Sequence, residues 1–106
     1  SLPLNLPPKR ELASLTAVEG ADKETSISFG EHTIYIGRRE KNELILTDRS
    51  VSRLHACITY RRHRHVLCDV GSLNGTLVNG VPVRELVLQD GDEIQMGNTL
   101  LRYEVL

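Results

Sequence analysis

The sequence predicts an all-β protein, an antiparallel sandwich of short strands, on three observations. Apolar and polar residues alternate with a period of two through most of the 106 residues, as half-buried strands require. Turn signals built on Gly, Asn and Asp recur every ~8–12 residues, the spacing of sandwich and barrel strands. No stretch pairs a 3.6-residue apolar period with helix caps, and only Glu11 to Val18 is open to a short helix instead of a strand.

Taken in order, Ser1-Leu2-Pro3-Leu4-Asn5-Leu6-Pro7-Pro8 holds three prolines and reads as an extended linker. Residues 9–106 remain as one domain, long enough for a single core without staples. Leu12, Leu15 and Val18 mark the first strand. Thr25-Ser26-Ile27-Ser28-Phe29 and His32-Thr33-Ile34-Tyr35-Ile36 alternate on either side of Gly30-Glu31 and read as a hairpin. Leu44-Ile45-Leu46 is a short strand. Leu54 to Tyr60 and Val66 to Val70 flank the basic tip Arg61-Arg62-His63-Arg64-His65. Thr76-Leu77-Val78 and Val81-Pro82-Val83 flank Asn79-Gly80, whose two residues both suit positive φ. Val87-Leu88 and Ile94-Gln95-Met96 flank the turn Asp90-Gly91-Asp92, and Thr99 to Leu106 closes the chain. The count is about ten strands.

Three polar loops interrupt these runs: Gly37-Arg38-Arg39-Glu40-Lys41-Asn42, Thr47 to Arg53, and Gly71 to Gly75. The strand from Leu54 to Tyr60 leaves the second loop, and the strand from Val66 to Val70 returns beside it to deliver the third. The second and third loops therefore share one end of the sandwich, and the basic tip lies at the other, roughly 20 Å away at ~3.3 Å per residue. If Tyr60 pairs with His65 across that tip, Cys57 faces Cys68.

The bulk composition excludes several classes. A formal net charge of -1 creates no global field toward nucleic acid or an anionic membrane. No apolar run approaches the ~20 residues that span a bilayer, and the N-terminal stretch has no basic n-region or long h-region of a signal peptide. The chain begins without Met and reads as a domain cut from something longer. Two cysteines without a CxxC spacing support neither a disulfide framework nor a zinc site.

At the loop end, Arg38, Asn42, Ser50, Ser52, Arg53 and Asn74 offer guanidiniums, hydroxyls and an amide. A phosphate group, with its charge of about -2 and several acceptor oxygens, wants that set together with N–H groups on a tight turn. Nucleotide fingerprints are absent. Ser52, His55 and Asp69 do not read as a hydrolase triad: there is no GxSxG elbow, and a serine three residues before a histidine at a strand start is poorly placed to bond it. His63 and His65 lack a third metal ligand. The basic tip carries only Tyr60 as an aromatic and reads as a solvated turn.

Gly37-Arg38, Asn42-Glu43, Val51-Ser52-Arg53-Leu54-His55-Ala56, Asp69, Gly71-Ser72-Leu73-Asn74-Gly75-Thr76 and Val78-Asn79-Gly80 form an ordered series of GR, SxxH, NGT and NG. In that order and spacing they resemble the signature of the forkhead-associated (FHA) domain, a phospho-motif reader. The resemblance implies an eleven-stranded sandwich binding phosphothreonine peptides through loops at one end, with no catalysis, cofactor or metal. It implies phosphate contacts from Arg38 and Ser52, help from Arg53 and Ser50, and a backbone contact from Asn74. Gly37, His55, Gly75, Thr76 and Asn79 would shape the loops, with His55 bracing them instead of touching ligand, and Arg39 would be peripheral. It further implies a monomeric signalling module in the cytoplasm, or the nucleus of a eukaryote, with reduced cysteines, and without nucleic-acid or membrane partners. The alternative is a phosphate-independent interaction domain of the same fold, docking through a sandwich face.

Overall fold

The computed structural model describes residues 10–106, so the linker expected over residues 1–8 lies outside the described residues. Eleven strands follow one another: β1 Ala13–Glu19, β2 Ser26–Phe29, β3 Ile34–Gly37, β4 Leu44–Ile45, β5 Ala56–Arg61, β6 Arg64–Asp69, β7 Thr76–Val78, β8 Val81–Pro82, β9 Glu85–Val87, β10 Glu93–Met96 and β11 Thr99–Val105. They form a six-stranded sheet, β2-β1-β11-β10-β7-β8, and a five-stranded sheet, β4-β3-β5-β6-β9. Among the described residues there is no helix, hence none long and apolar enough to cross a membrane.

Alternation builds the core. Ala13, Leu15, Ala17, Ile94, Leu101 and Tyr103 point inward from the first sheet and meet Ile34, Ile36, Ala56, Ile58 and Leu67 from the second. Loop residues Leu46, Val51 and Leu88 plug the ends. The strand expected from Glu11 to Val18 is β1, Ala13–Glu19, and the helical option for it falls.

Two expectations are corrected. β2 and β3 do not form a hairpin, because β2 pairs with β1 in one sheet and β3 with β5 in the other. Gly30 sits at that crossing, where a Cβ would lie 2.1 Å from the Arg10 carbonyl oxygen, so the chain passes there only without a side chain. Nor is the sandwich wholly antiparallel: β3 and β4 pair in parallel, Ile36 opposite Leu44. The charged loop between them swings over the end of the sheet and brings β4 back in the same direction.

The β5–β6 hairpin keeps its expected register, with Tyr60 opposite His65 and Cys57 opposite Cys68. Its tip is a two-residue turn in which Arg62 and His63 have φ of 52° and 64°. Both cysteines are free thiols, and burial, then the neighbouring Cys68, pushes the Cys57 thiol up from its ordinary value. His65 is no metal ligand: its Nε2–H donates to the Gly30 carbonyl at 2.8 Å, and its Nδ1 accepts from the Tyr103 hydroxyl at 2.7 Å. The Asn79-Gly80 turn joins β7 to β8 with φ of 50° and 82°. The Asn79 side chain clamps the turn to the strand beside it, accepting from the Glu93 N–H and donating to Asp92.

Candidate functional site

Three strands deliver the three loops to one end. β3 ends at Gly37 and presents Arg38, the segment before β5 carries Ser50 to His55, and β6 runs out into Gly71 to Gly75. Gly37 permits the first two to touch. A Cβ there would stand 2.3 Å from the Arg53 carbonyl oxygen and 2.7 Å from that of Ser52. Across this contact the Arg38 and Arg39 N–H groups donate to the Ser52 and Arg53 carbonyls at 3.1 and 3.0 Å. Gly37→Ala is therefore expected to push the loops apart and to cost about 1–3 kcal/mol, as overpacking does; urea denaturation of the variant beside the parent measures it.

His55 ties the second loop to the third. It is fully buried; its Nδ1 accepts from the Ser52 N–H at 3.1 Å and its Nε2–H donates to the Gly75 carbonyl at 2.8 Å. Both ring nitrogens are thus occupied by backbone, which fixes the neutral Nε2–H tautomer. The Ser52 hydroxyl faces away from this ring and accepts from the Leu73 N–H at 3.0 Å, so no triad exists. Asn74 closes the contact by donating from Nδ2 to the Ser50 carbonyl at 2.9 Å.

Three carboxylates, Asp69 half-buried and Asp48 and Asp22 buried, hold the loop shapes. Asp69 accepts from the Gly71 and Ser72 N–H groups and from the hydroxyls of Ser72 and Thr76. Asp48 accepts from the Ser50 N–H and hydroxyl, the Asn98 N–H and the Thr99 hydroxyl. Asp22, far off in sequence, accepts from the Thr47 N–H and hydroxyl and from the Asp48 N–H. Burial works to raise the carboxyls of Asp48 and Asp69, but these hydrogen bonds outweigh it and hold both below their ordinary value. Each then binds a proton more weakly folded than unfolded. The stability it contributes is complete above the ordinary aspartate pKa of ~3.9 and is lost as pH falls through the folded value. Denaturation between about pH 3 and pH 7 is expected to show stability dropping below about pH 4, with a flatter slope in Asp48→Asn and Asp69→Asn.

Two residues offered for ligand contact have other work. Asn42 is buried and donates from Nδ2 to the Arg53 carbonyl at 2.8 Å, bracing the backbone from below. The Ser50 hydroxyl is committed on both sides, donating to Asp48 at 2.6 Å and accepting from the Asn98 N–H at 2.9 Å. Arg39, read as peripheral, lines one hollow with Arg38, Glu40, Lys41 and Arg53. Lys41, also on this hollow, carried no sequence signal beyond its charge.

The hollow is electropositive and its donors are open. Among the described residues the only ion pairs within 4 Å are Arg61 with Glu85 and Arg102 with Glu93, so no carboxylate neutralises Arg38, Arg39, Lys41 or Arg53 at that range. The Arg38 Nε donates to the Val51 carbonyl at 2.6 Å, which aims the guanidinium and leaves its terminal nitrogens outward. Among the described residues the Ser52 hydroxyl accepts without donating, and nothing donates to the Asn74 side-chain oxygen. Among the described residues no cluster of His, Cys, Asp or Glu could hold a metal.

Comparison with known proteins gives this arrangement its family. The chain is 38% identical over 85 residues to an oxoglutarate dehydrogenase inhibitor of Corynebacterium jeikeium, which covers 80% of the chain and 59% of the relative. It is equally 38% identical over 85 residues to the glycogen accumulation regulator GarA of Mycolicibacterium smegmatis, covering 80% of the chain and 54% of that protein. The chain thus spans little more than half the length of these relatives. Among solved structures, one described by phosphothreonine-dependent FHA domain interactions superposes with a TM-score of 0.80 at 32% identity, over 88% of this chain and 95% of that one. Mycobacterium tuberculosis EmbR, in complex with a low-affinity phosphopeptide, superposes with a TM-score of 0.80 at 25% identity, over 91% of this chain and 25% of its own. The family model of the FHA domain matches residues 34–97, from the start of β3 to the turn after β10, and the chain belongs to that family of binding modules.

Proposed function

We propose that this domain binds phosphothreonine in partner proteins through the end where its three loops meet, and so recruits them in kinase signalling. The observation that carries the reading is the set of unspent donors from Arg38 and Ser52, aimed by Val51 and Leu73 and left without a carboxylate partner. A phosphate accepts from both with charge-assisted bonds. Arg53, exposed on the same hollow, adds charge. Asn74 accepts a peptide N–H of the ligand through its open carbonyl oxygen. Ser50 stands behind them as a brace and not as a contact. The relatives that are regulators, and the phosphopeptide complex of EmbR, support the reading. It places the domain where a kinase acts, in the cytoplasm, as a monomer.

The test is a fluorescence anisotropy titration with a phosphothreonine peptide and its unphosphorylated twin. Binding of the first alone, in the micromolar range or about 8 kcal/mol, is the expected result. Equal binding of the two peptides sinks the reading.

A further inference from the structure

The outward face of the five-stranded sheet breaks the rule that made its strands recognisable. An antiparallel sheet with one solvated face normally turns polar side chains outward. Here the outward positions of neighbouring strands hold Tyr35, Cys57 and Cys68 in one cross-strand row, which ends on Glu85, and Thr59, Val66 and Val87 in the next, with Ile45 beyond. Tyr35, Ile45 and Val87 are 43%, 42% and 40% exposed, while Cys57 and Val66 are buried although they point away from the core. The row that follows is Arg61 and Arg64, so this apolar face ends at the basic tip. A hollow lies between them, lined by Arg61, Arg62, Arg64, Val66, Leu86 and Val87, with Glu85 paired to Arg61.

The hollow also opens on a sheet edge. Among the described residues β9 is the last strand of its sheet and pairs with β6 alone. The Asp69 N–H donates to the Arg84 carbonyl and the Leu88 N–H to the His65 carbonyl, so residues 84, 86 and 88 direct their backbone groups toward β6. By the two-residue period, the N–H and C=O groups of Glu85 and Val87 point the other way, into the open. An open edge beside an apolar strip is a template for another strand.

We propose that the β9 edge is a second binding site, for an extended acidic segment of a partner protein with aliphatic side chains at alternate positions. The segment adds as a strand beyond β9, about 4.8 Å away, and hydrogen-bonds to Glu85 and Val87. Its aliphatic side chains lie against Val87 and Val66, and its carboxylates face Arg62 and Arg64. The arginines choose an acidic chain over a basic one. The backbone groups of the edge choose a protein strand over a nucleic acid or a lipid surface. The edge runs along the middle of β6, from Cys68 to Val66, and its arginines stand at the tip, the end away from Arg38, Ser52 and Asn74; the site does not depend on the phosphothreonine reading.

The test titrates the whole chain, isotope-labelled for amide NMR, with a 12-residue peptide alternating Val and Glu and with its Val and Lys counterpart. A 20-base-pair DNA duplex and vesicles of phosphatidylserine and phosphatidylcholine are titrated in parallel. Saturable binding of the Val–Glu peptide is expected, with amide shifts at Glu85, Val87 and Val66 and none at Arg38, Ser52 or Asn74. Arg62→Ala with Arg64→Ala is expected to weaken it about tenfold, as loss of charged hydrogen bonds does. Val87→Pro removes the outward N–H without touching the pairing to β6, and is expected to weaken binding by a similar factor with little change in melting temperature. Wild-type affinity in Val87→Pro overturns the edge. Equal binding of the Lys peptide, shifts confined to the loop end, or binding of DNA or vesicles alone overturns the proposal.

Discussion

Arg38→Ala is expected to abolish measurable phosphothreonine binding while leaving the fold intact. The Arg38 side chain is exposed and gives the interior only its Nε bond to Val51, so the thermal midpoint should move little. What is lost is the outward pair of terminal nitrogens. Charged hydrogen bonds contribute ~1.5–3 kcal/mol each, and two of them, taken as incompletely additive, amount to about 3 kcal/mol. That is roughly a 150-fold loss, enough to carry a micromolar complex out of range in an anisotropy titration. Arg38→Lys keeps the charge but loses the planar fork and should fall between the two. Phosphopeptide affinity unchanged in Arg38→Ala would remove the guanidinium from the site.

His55→Ala is expected to cost both stability and binding, since this ring is at once core and brace. Removing it opens a void where nothing reaches solvent and leaves the Ser52 N–H and the Gly75 carbonyl without partners. These groups are part-buried, so leaving them unpaired costs toward the lower end of the ~1–3 kcal/mol of a buried group, and the void of the ring adds more. A total of about 4 kcal/mol corresponds to a fall of roughly 15–30 °C in the thermal midpoint of a domain this size, readable by calorimetry. Phosphopeptide binding, measured at a temperature where the variant is still folded, should drop as well, because Ser52 is no longer held against the third loop. A variant that melts early yet binds as well as the parent would confine His55 to the core.

The sequence showed the sheets' strands well and their partners unevenly. The β5–β6 register followed from one assumption about the tip, because a two-residue turn leaves one way to align the strands, and Cys57 does face Cys68. The supposed hairpin from Thr25 to Ile36 misled because alternation around Gly30 looks the same whether the strands pair or part to opposite sheets. The parallel pairing of β3 and β4 was hidden in a loop whose charges spoke of an anionic ligand and not of strand direction. At the loop end, the ordered motifs picked out Arg38, Ser52, His55 and Asn74, which the structure brings together. They did not show which hydroxyls were already engaged, and so Ser50 was read as a contact when its oxygen serves Asp48 and Asn98. Asp48 and Asp69 carried a local signal, a carboxylate two or three residues before a serine in a turn. The Asp22 contact to Thr47 is 25 residues distant and left none.

The length of the β5–β6 hairpin insulates the loop end from the charge at the tip. β5 has six residues, so about 20 Å separates the two ends at ~3.3 Å per residue. In physiological salt the Debye length is about 8 Å, so the arginines of the tip are screened more than twice over at the phosphate loops. They neither steer a phosphopeptide into the hollow nor compete for it. Evolution is thus at liberty to recharge one end of the sandwich without retuning the other.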